Sequence, residues 1–352
     1  MAYYATYNDQ VNIKNEQQLR KLLKELPAFC REFFRGIEPK TSSRTRIAYA
    51  MDLKTFFYFL ETEYPELSEG PAKNWTVDVL DRITLTMLED YLDFIKLYEN
   101  KENKVNVNEE NGRCRKTASL RSFYKYFHKK QKIKDNVASL LDMPKKPEKA
   151  IIRLEPNEVA NLLDAVEQGN KLTDKQQKFH AKNKTRDLAV MTLLLGTGIR
   201  VSECVGLDIT DLDFDNNGMR IRRKGGKEMI LYFGDEVRKA LLDYLDEREL
   251  IMPKEGSENA LFLSIQRKRL SVRAVENMVK KYSESVILLK KITPHKLRST
   301  YGTQLYRETG DIYLVADVLG HSDVNTTKKH YAAMDEDRRK MAANVVQLRE
   351  SD

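Results

Sequence analysis

An arginine and a glutamate, Arg200 and Glu203, follow two closely spaced glycines in the stretch GTGIRVSE. A dinucleotide-binding turn would need a third glycine and a preceding strand, whereas the preceding segment has a helical pattern. No GxxxxGK[ST] sequence occurs, which excludes a P-loop. One interpretation is structural: Gly196 and Gly198 end a helix through positive φ, and Arg200 pairs with Glu203 on the next turn. The alternative is a functional role for Arg200, which depends on the residues that accompany this stretch elsewhere in the chain.

Other residue types that often carry chemistry lie further along the chain. The stretch TPHKLRSTYG places His295 and Arg298 three residues apart, directly after a proline that favours a helix start. The stretch LGHSDVNTTKKHY contains His321 and, ten residues later, Tyr331. The sequence RRKGGKE at 222–228 places two lysines around a glycine pair that is typical of a hairpin turn. Each of these groups alone could equally be a helix cap, a surface residue or a solvated turn.

Together these motifs closely resemble the tyrosine recombinases, the phage-integrase and Xer family. GTGIRVSE, RRKGGKE, PHKLR and LGH followed by a tyrosine occur in the family's order over roughly residues 185–335. The resemblance implies a two-domain clamp around double-stranded DNA that recombines specific sites through a 3′-phosphotyrosyl intermediate and a Holliday junction. It implies a homotetramer on two DNA sites. It also implies no cofactor, because the covalent link conserves the bond energy without ATP or metal.

The resemblance further assigns the groups that would hold the phosphate. Arg200 and Arg298 would clamp its non-bridging oxygens, a task that suits planar guanidinium groups able to bind two oxygens at once. His321 would donate another hydrogen bond to the same oxygens. Glu203 would steady the site beside Arg200.

The remaining roles concern proton transfer and attack. By resemblance, Tyr331 is the nucleophile and His295 is the base that helps a phenol with a pKa of about 10 to lose its proton. Lys224, next to the glycine pair of the hairpin, matches the family's general acid, which protonates the departing 5′ oxygen. Lys227 is the rival for that role. The plain alternative for both lysines is a solvated hairpin tip.

One departure from the family keeps other functions open. The family usually has its tyrosine nine residues after the LGH histidine, whereas here His330 is ninth and Tyr331 is tenth. This shift keeps open a DNA-binding protein of the same fold without activity. A type IB-like topoisomerase, which uses the same chemistry, is a separate alternative, against which the two-domain layout and the C-terminal tail speak. Beyond Tyr331, the helical spacing of Met341, Val345 and Leu348 predicts a tail helix, which either packs on its own domain or contacts a neighbouring protomer.

Composition excludes several other classes of protein. Of the 352 residues, 41% are hydrophobic and 32% charged, which is typical of a soluble helical protein. The longest apolar run, 188–195, is too short to span a membrane. Three scattered cysteines without metal or redox spacing, and no signal-peptide pattern, predict a cytoplasmic protein without a metal site. The net charge of +8 favours an acidic partner such as DNA.

The patterns predict a mainly α protein with a small three-stranded antiparallel sheet in its C-terminal domain. We expect a helical core-site DNA-binding domain (SAM-like, by resemblance) over 1–142, a proline-containing linker over 143–152 and the catalytic domain over 153–352. Turn signals separate three short β-rich segments within 211–233. The polar segment 100–112 is predicted to be a loop.

A basic helix predicts where DNA is bound. Residues 112–134 contain nine lysines or arginines and no acid, and Leu120, Phe123, Tyr124 and Phe127 form an apolar stripe. A solvated basic face is the plain alternative, but so many uncompensated cations favour a polyphosphate surface. The expected DNA contacts, here and in RKRLSVR at 267–273, are Arg113, Arg115, Lys116, Arg121, Lys125, Lys129, Arg267, Lys268, Arg269 and Arg273.

Overall fold

The computed structural model describes residues 6–67, 69–100, 103–145, 152–223, 227–321 and 324. The chain divides into two compact units, residues 1–149 and 150–352, which we describe separately. Most of the described residues are helical, and small antiparallel sheets account for the strands among them. The predicted fold class is therefore confirmed, whereas the domain boundaries and the clamp arrangement stay predictions.

The first unit is built from helices and one short hairpin. Its described helices and strands are α1 (Tyr7–Leu22), α2 (Cys30–Ile37), α3 (Ser43–Glu63), α4 (Val79–Arg82), α5 (Leu85–Phe94), β1 (Leu97–Glu99), β2 (Val105–Val107) and α6 (Glu110–Lys129). Single turns of 3-10 helix occur at Glu38–Lys40, Pro65–Leu67, Ala72–Asn74 and Val137–Leu140. Thr6, Ser42 and Thr84 cap the starts of α1, α3 and α5 through their hydroxyl groups.

Aromatic side chains dominate the core of this unit. The predicted stripe of α6 is confirmed, since Leu120, Phe123, Tyr124 and Phe127 are all buried. Phe123 meets Phe33 of α2 edge to face, with ring centroids 5.1 Å apart. Such pairs add about 0.5–1.5 kcal/mol beyond the apolar area that they bury. The apolar stripe thereby fixes which face of the basic helix is left for solvent.

The prediction of a loop over 100–112 is wrong in part. Residues Val105–Val107 form β2 and pair antiparallel with β1, with Val107 opposite Leu97. The strand is only three residues long, so its alternation of valine and asparagine was too short to distinguish from irregular chain. α6 then begins within the same segment, at Glu110.

A buried ion pair joins α3 to α6. The carboxylate of Asp52 accepts from Arg115 and lies 3.5 Å from the Lys116 ammonium, with both Asp52 and Lys116 almost fully buried. Burial raises the pKa of Asp52, and the two cations oppose that rise. Burial likewise lowers the pKa of Lys116, against the effect of Asp52. Each charge is therefore held in the interior by its partner.

The second unit surrounds one central helix with others and carries the larger sheet. Its described helices and strands are α7 (Pro156–Gln168), α8 (Asp174–His180), α9 (Lys184–Thr197), α10 (Val201–Cys204), β3 (Leu212–Asp213), β4 (Gly218–Arg222), β5 (Glu228–Tyr232), α11 (Asp235–Glu249), α12 (Val272–Val286), α13 (Pro294–Thr309) and α14 (Ile312–Leu319). One turn of 3-10 helix, Ile209–Asp211, precedes β3. The sheet has the order β3-β4-β5 and is antiparallel, which confirms the predicted three strands.

The central helix α9 packs against α7, α11 and α13, and most of its residues from Asp187 onward are buried. The prediction that both glycines of GTG end this helix is wrong for Gly196, which lies inside α9. A Cβ at Gly196 would come within 2.5 Å of Val237 Cγ2, so glycine there allows α11 to approach closely. Gly198 does end the helix, with φ of +61°. The chain thereby turns sharply and starts α10 three residues later.

Among the residues that the structure describes, no helix is both long enough and apolar enough to cross a membrane.

We expect Asp52→Ala to lower the free energy of unfolding of the first unit by about 3–5 kcal/mol, because it leaves the Lys116 charge buried without a partner. Lys54→Ala is the matched control on the same helix, because it breaks the exposed Lys54–Glu25 pair and should cost less than about 1 kcal/mol. Urea unfolding followed by the fluorescence of Trp75, the chain's single and buried tryptophan, measures both. Equal losses in the two variants would contradict the prediction.

We expect Gly198→Ala to destabilise the second unit through two effects. Positive φ costs alanine about 1–2 kcal/mol, and the new Cβ would lie 2.4 Å from Tyr301 Cδ1, a clash worth about 1–3 kcal/mol more. Gly256→Ala is the control that isolates the cost of positive φ, since Gly256 has φ of +77° but no atom within 4 Å of an added Cβ. Calorimetric unfolding should show a larger loss of stability for Gly198→Ala than for Gly256→Ala. Equal losses in the two variants would show that the predicted clash with Tyr301 contributes nothing.

Candidate active site

The corner after α9 positions Arg200. Arg200 caps α10, and its backbone N–H donates to Glu203 Oε2 at 3.0 Å while its Nη1 donates to Glu203 Oε1 at 2.8 Å. The Glu203 side chain is only 6% exposed, whereas that of Arg200 is 37% exposed. The predicted pair is therefore confirmed, and it fixes the direction in which the guanidinium extends.

Helix α13 supplies a second arginine to the same place. α13 begins at Pro294, as predicted, and Arg298 lies one turn into it with a buried side chain. The Arg298 guanidinium donates to the carbonyl oxygens of Gly198 and Leu319. It therefore links the corner after α9 to the end of α14. His295 lies in the first turn of α13 and is exposed.

Helix α14 ends in a turn that leads directly into His321. Gly320 has φ of +60°, the left-handed conformation that closes many helices. Arg200 Nη2 donates to the Gly320 carbonyl at 3.0 Å, and the His321 backbone N–H donates to Ala316 O at 2.9 Å. The structure thus brings Arg200, Arg298 and the backbone of His321 to one turn.

A third arginine, Arg223, reaches this turn from the hairpin, although the sequence analysis did not select it. Arg223 directly follows β4, and its Nη1 and Nη2 donate to Asp317 O at 3.1 Å and Val318 O at 2.6 Å. Its backbone N–H donates to Lys227 O at 2.8 Å. The only signal for it in the sequence is its place beside the candidate lysines in RRKGGKE.

The carbonyl oxygens of four successive residues, Asp317, Val318, Leu319 and Gly320, are therefore all bound by arginine side chains. We call residues 317–320 the arginine-bound turn. Arg223 binds the carbonyls of Asp317 and Val318. Arg298 binds that of Leu319, and Arg200 binds that of Gly320. The last carbonyls of a helix have no partner within it, and cations near them are favourable.

Positive charge is concentrated around the arginine-bound turn. Burial lowers the pKa of the Arg223 guanidinium and Arg200 lowers it further, while Glu203 and Asp317 raise it. Glu203 is buried against Arg200, but Asp317 is exposed to solvent. Of these described residues, one buried carboxylate, that of Glu203, therefore accompanies three guanidinium groups. Such a site is prepared to bind an anion.

The other predicted members of the site are only partly among the described residues. Lys224 and Tyr331 lie outside the described residues, as does the predicted tail helix. Lys227, the rival general acid, is exposed on the hairpin. Within the described part of the chain, no group of three histidine, cysteine, aspartate or glutamate side chains could hold a metal ion.

The expected DNA contacts on α6 divide into surface and interior residues. Arg115, Lys125 and Lys129 are exposed, and Arg113 and Arg121 are partly buried, as their accessible surfaces show. Lys116 is a correction, because its side chain is 6% exposed and its ammonium is held between Asp52 and Thr55. It stabilises the first unit from within.

The contacts expected from 267–273 divide in the same way. Arg267 and Lys268 are exposed, and Arg273 is exposed with Glu276 3.3 Å away. Arg269 is instead held in the protein, where its guanidinium donates to Val205 O at 3.1 Å, to Leu207 O at 2.8 Å and to Asp208. Its nitrogens serve the fold of the segment after α10.

Comparison with known proteins identifies relatives over most of the chain. The model of the phage integrase family matches residues 153–338, which is more than half of the chain. Tyrosine recombinase XerC of Caldanaerobacter subterraneus is 35% identical over 314 residues, covering 86% of this chain and 81% of that protein. Tyrosine recombinase XerS of Streptococcus agalactiae is 31% identical over 350 residues, covering 90% and 95%.

A solved structure has a similar fold. XerH site-specific recombinase bound to a palindromic difH substrate matches with a TM-score of 0.65 at 20% identity, over 86% of this chain and 80% of that one.

Proposed function

The chain belongs to the phage integrase family of tyrosine recombinases, and from this we infer that it is a site-specific recombinase that cuts and rejoins double-stranded DNA. We propose that the reaction takes place at the arginine-bound turn. The motifs GTGIRVSE, PHKLR and LGH, which lie far apart in the sequence, contribute to this one region.

The observation that carries the proposal is the convergence of Arg200 and Arg298 on the residues before His321. The two guanidinium groups come from different helices and contact adjacent carbonyls, of Gly320 and Leu319. Guanidinium groups bind two oxygens of a phosphate in one plane, and their charge offsets the negative charge that grows on the non-bridging oxygens during attack. His321 would donate a further hydrogen bond there.

In the proposed cleavage step, the Tyr331 oxygen forms a bond to phosphorus as the bond from phosphorus to the 5′ oxygen breaks. The phenol proton passes to a base, for which His295 is our candidate. The 5′ oxygen leaves with a proton from a hairpin lysine, Lys224 or its rival Lys227. Rejoining reverses these transfers, so no ATP or metal ion is required by the balance of the step.

We propose that exposed cations of both units bind the DNA backbone. Arg115, Lys125 and Lys129 of α6 and Arg267 and Lys268 of the second unit are the best placed by exposure. Contacts of this kind make affinity fall steeply with salt. Strand exchange would then need a homotetramer on two DNA sites, as the resemblance to the family implies.

The function is tested by trapping the covalent intermediate. We expect the protein, incubated with EDTA and without ATP, to form a DNA adduct with a library of nicked duplexes, because the nick lets the short strand diffuse away and prevents rejoining. Mass spectrometry of the digested protein should find the adduct on Tyr331, and sequencing the attached DNA gives the target site.

Tyr331→Phe is the control, which should bind the same DNA without forming an adduct. An adduct on another residue would refute Tyr331 as the nucleophile and leave the chemistry standing. If the wild-type protein binds the DNA but forms no adduct, the chain is a binding protein that has kept the fold. Relaxation of supercoiled DNA without a specific site would instead indicate a topoisomerase.

We expect Arg200→Lys to slow single-turnover adduct formation by on the order of 100- to 1,000-fold, the usual cost of losing one preorganised donor. Lysine keeps the positive charge beside Glu203 but loses the planar pair of donors. DNA affinity should change little, since it depends on many phosphate contacts. Arg307→Gln, which breaks the surface pair with Glu155, is the control and should react at the wild-type rate. An unchanged rate for Arg200→Lys would refute the proposed clamp.

A further inference from the structure

Arg223 connects the β4–β5 hairpin to the arginine-bound turn. We propose that it is a positioning residue, which holds the lysine-bearing end of the hairpin against the turn before His321 so that the general acid is aligned with the departing 5′ oxygen. This inference rests on the proposed function and deepens it, because it gives a role to a residue to which the resemblance assigns none.

The geometry supports a specific connection. The two terminal nitrogens of Arg223 bind adjacent carbonyls, of Asp317 and Val318, and its backbone N–H closes the hairpin against Lys227 O. One residue therefore joins the last described pair of the hairpin to the last turn of α14. A planar group with two donors fixes an orientation, whereas a single contact would leave the hairpin free to pivot.

The turn is shaped to receive this side chain. A Cβ on Gly320 would lie 1.4 Å from Arg223 Nη1, so the guanidinium fills the space that any other residue at 320 would occupy. The Nε of Arg223 is buried and has no hydrogen-bond partner among the described residues. Leaving a buried donor unpaired is unfavourable. In this arrangement both terminal nitrogens of Arg223 are hydrogen-bonded, whereas its Nε is not.

Such a connection is needed because the phosphate-binding groups and the proposed general acid lie on different segments of the chain. The phosphate would be held by groups near residues 200, 298 and 321, whereas the acid lies on a hairpin near 224–227. Lys224 is bonded to Arg223, and Lys227 is hydrogen-bonded to it. Anchoring Arg223 to the turn therefore constrains Lys227 through this hydrogen bond, and Lys224 is the next residue in the chain.

A neighbouring arginine shows what a merely structural contact in this hairpin looks like. Arg222 Nε donates to Glu228 Oε1 at 2.8 Å across the strand pair, and both side chains are well exposed. This pair lies within the hairpin. Arg222→Gln is thus a matched control for general loosening of the hairpin.

The test uses nicked duplexes carrying the target site in two forms, one with the normal bridging 5′ oxygen and one with sulfur in its place. A thiol has a pKa of about 8.5, so it leaves as a thiolate without a general acid. We expect Arg223→Ala to cleave the oxygen substrate on the order of 100-fold more slowly than wild type, as loss of general acid catalysis would. On the sulfur substrate its rate should return to within about tenfold of wild type.

Arg223→Lys should also cleave the oxygen substrate slowly and recover on sulfur, with a smaller defect. This variant replaces Arg223→Ala in the test if calorimetry shows that Arg223→Ala is unfolded. Lys224→Ala and Lys227→Ala, run in parallel, identify the acid, since only the variant of the true acid should recover on sulfur. Arg222→Gln should react like wild type on both substrates.

Each result decides the proposal. Recovery of the Arg223 variants on sulfur supports it, whichever lysine proves to be the acid. Equal defects on both substrates, or no defect, would overturn it while leaving the recombinase function intact. If the wild-type protein forms no adduct on either substrate, the proposed function fails first, and this inference fails with it.

Discussion

Hydrogen bonds from three arginines hold the end of α14. A helix leaves its last carbonyls largely without internal partners, and here Arg223, Arg298 and Arg200 bind those of residues 317–320, of which the Asp317 carbonyl also accepts from the Gly320 backbone N–H. Because these arginines come from the hairpin, from α13 and from the corner after α9, a local requirement of one helix end brings three distant segments together. The same contacts that satisfy the backbone therefore also bring the positive charges together.

This dependence explains which parts of the site the sequence could predict. The Arg200–Glu203 pair was predictable because it is local, three residues apart on a helical turn. Pro294 similarly predicted the start of α13. Arg223 was not predictable, since its partners lie more than ninety residues away and nothing in its own segment distinguishes it from Arg222. Gly196 was misassigned because a glycine needed for helix packing and one needed for positive φ look the same in sequence.

The fold was predicted better than the surface. Periodic apolar residues identified α6 and its buried stripe, and turn signals identified the three strands of the second unit. The charge count of α6, however, could not reveal that Lys116 faces Asp52 in the interior. A basic residue is expected at the surface unless a buried acid compensates it, and that acid lies on another helix. The count of basic residues therefore favoured an acidic partner such as DNA, but it overestimated how many of the cations lie at the surface.

The close fit between Arg223 and Gly320 has an evolutionary consequence. A side chain at 320 cannot coexist with the guanidinium of residue 223, and the positive φ at 320 independently favours glycine. A lineage that lost the arginine would thus still keep the glycine, whereas a lineage that lost the glycine could not keep the arginine in this position. The dependence between the two positions therefore runs in one direction: the contacts of Arg223 with Asp317 and Val318 require glycine at 320, whereas the glycine does not require the arginine.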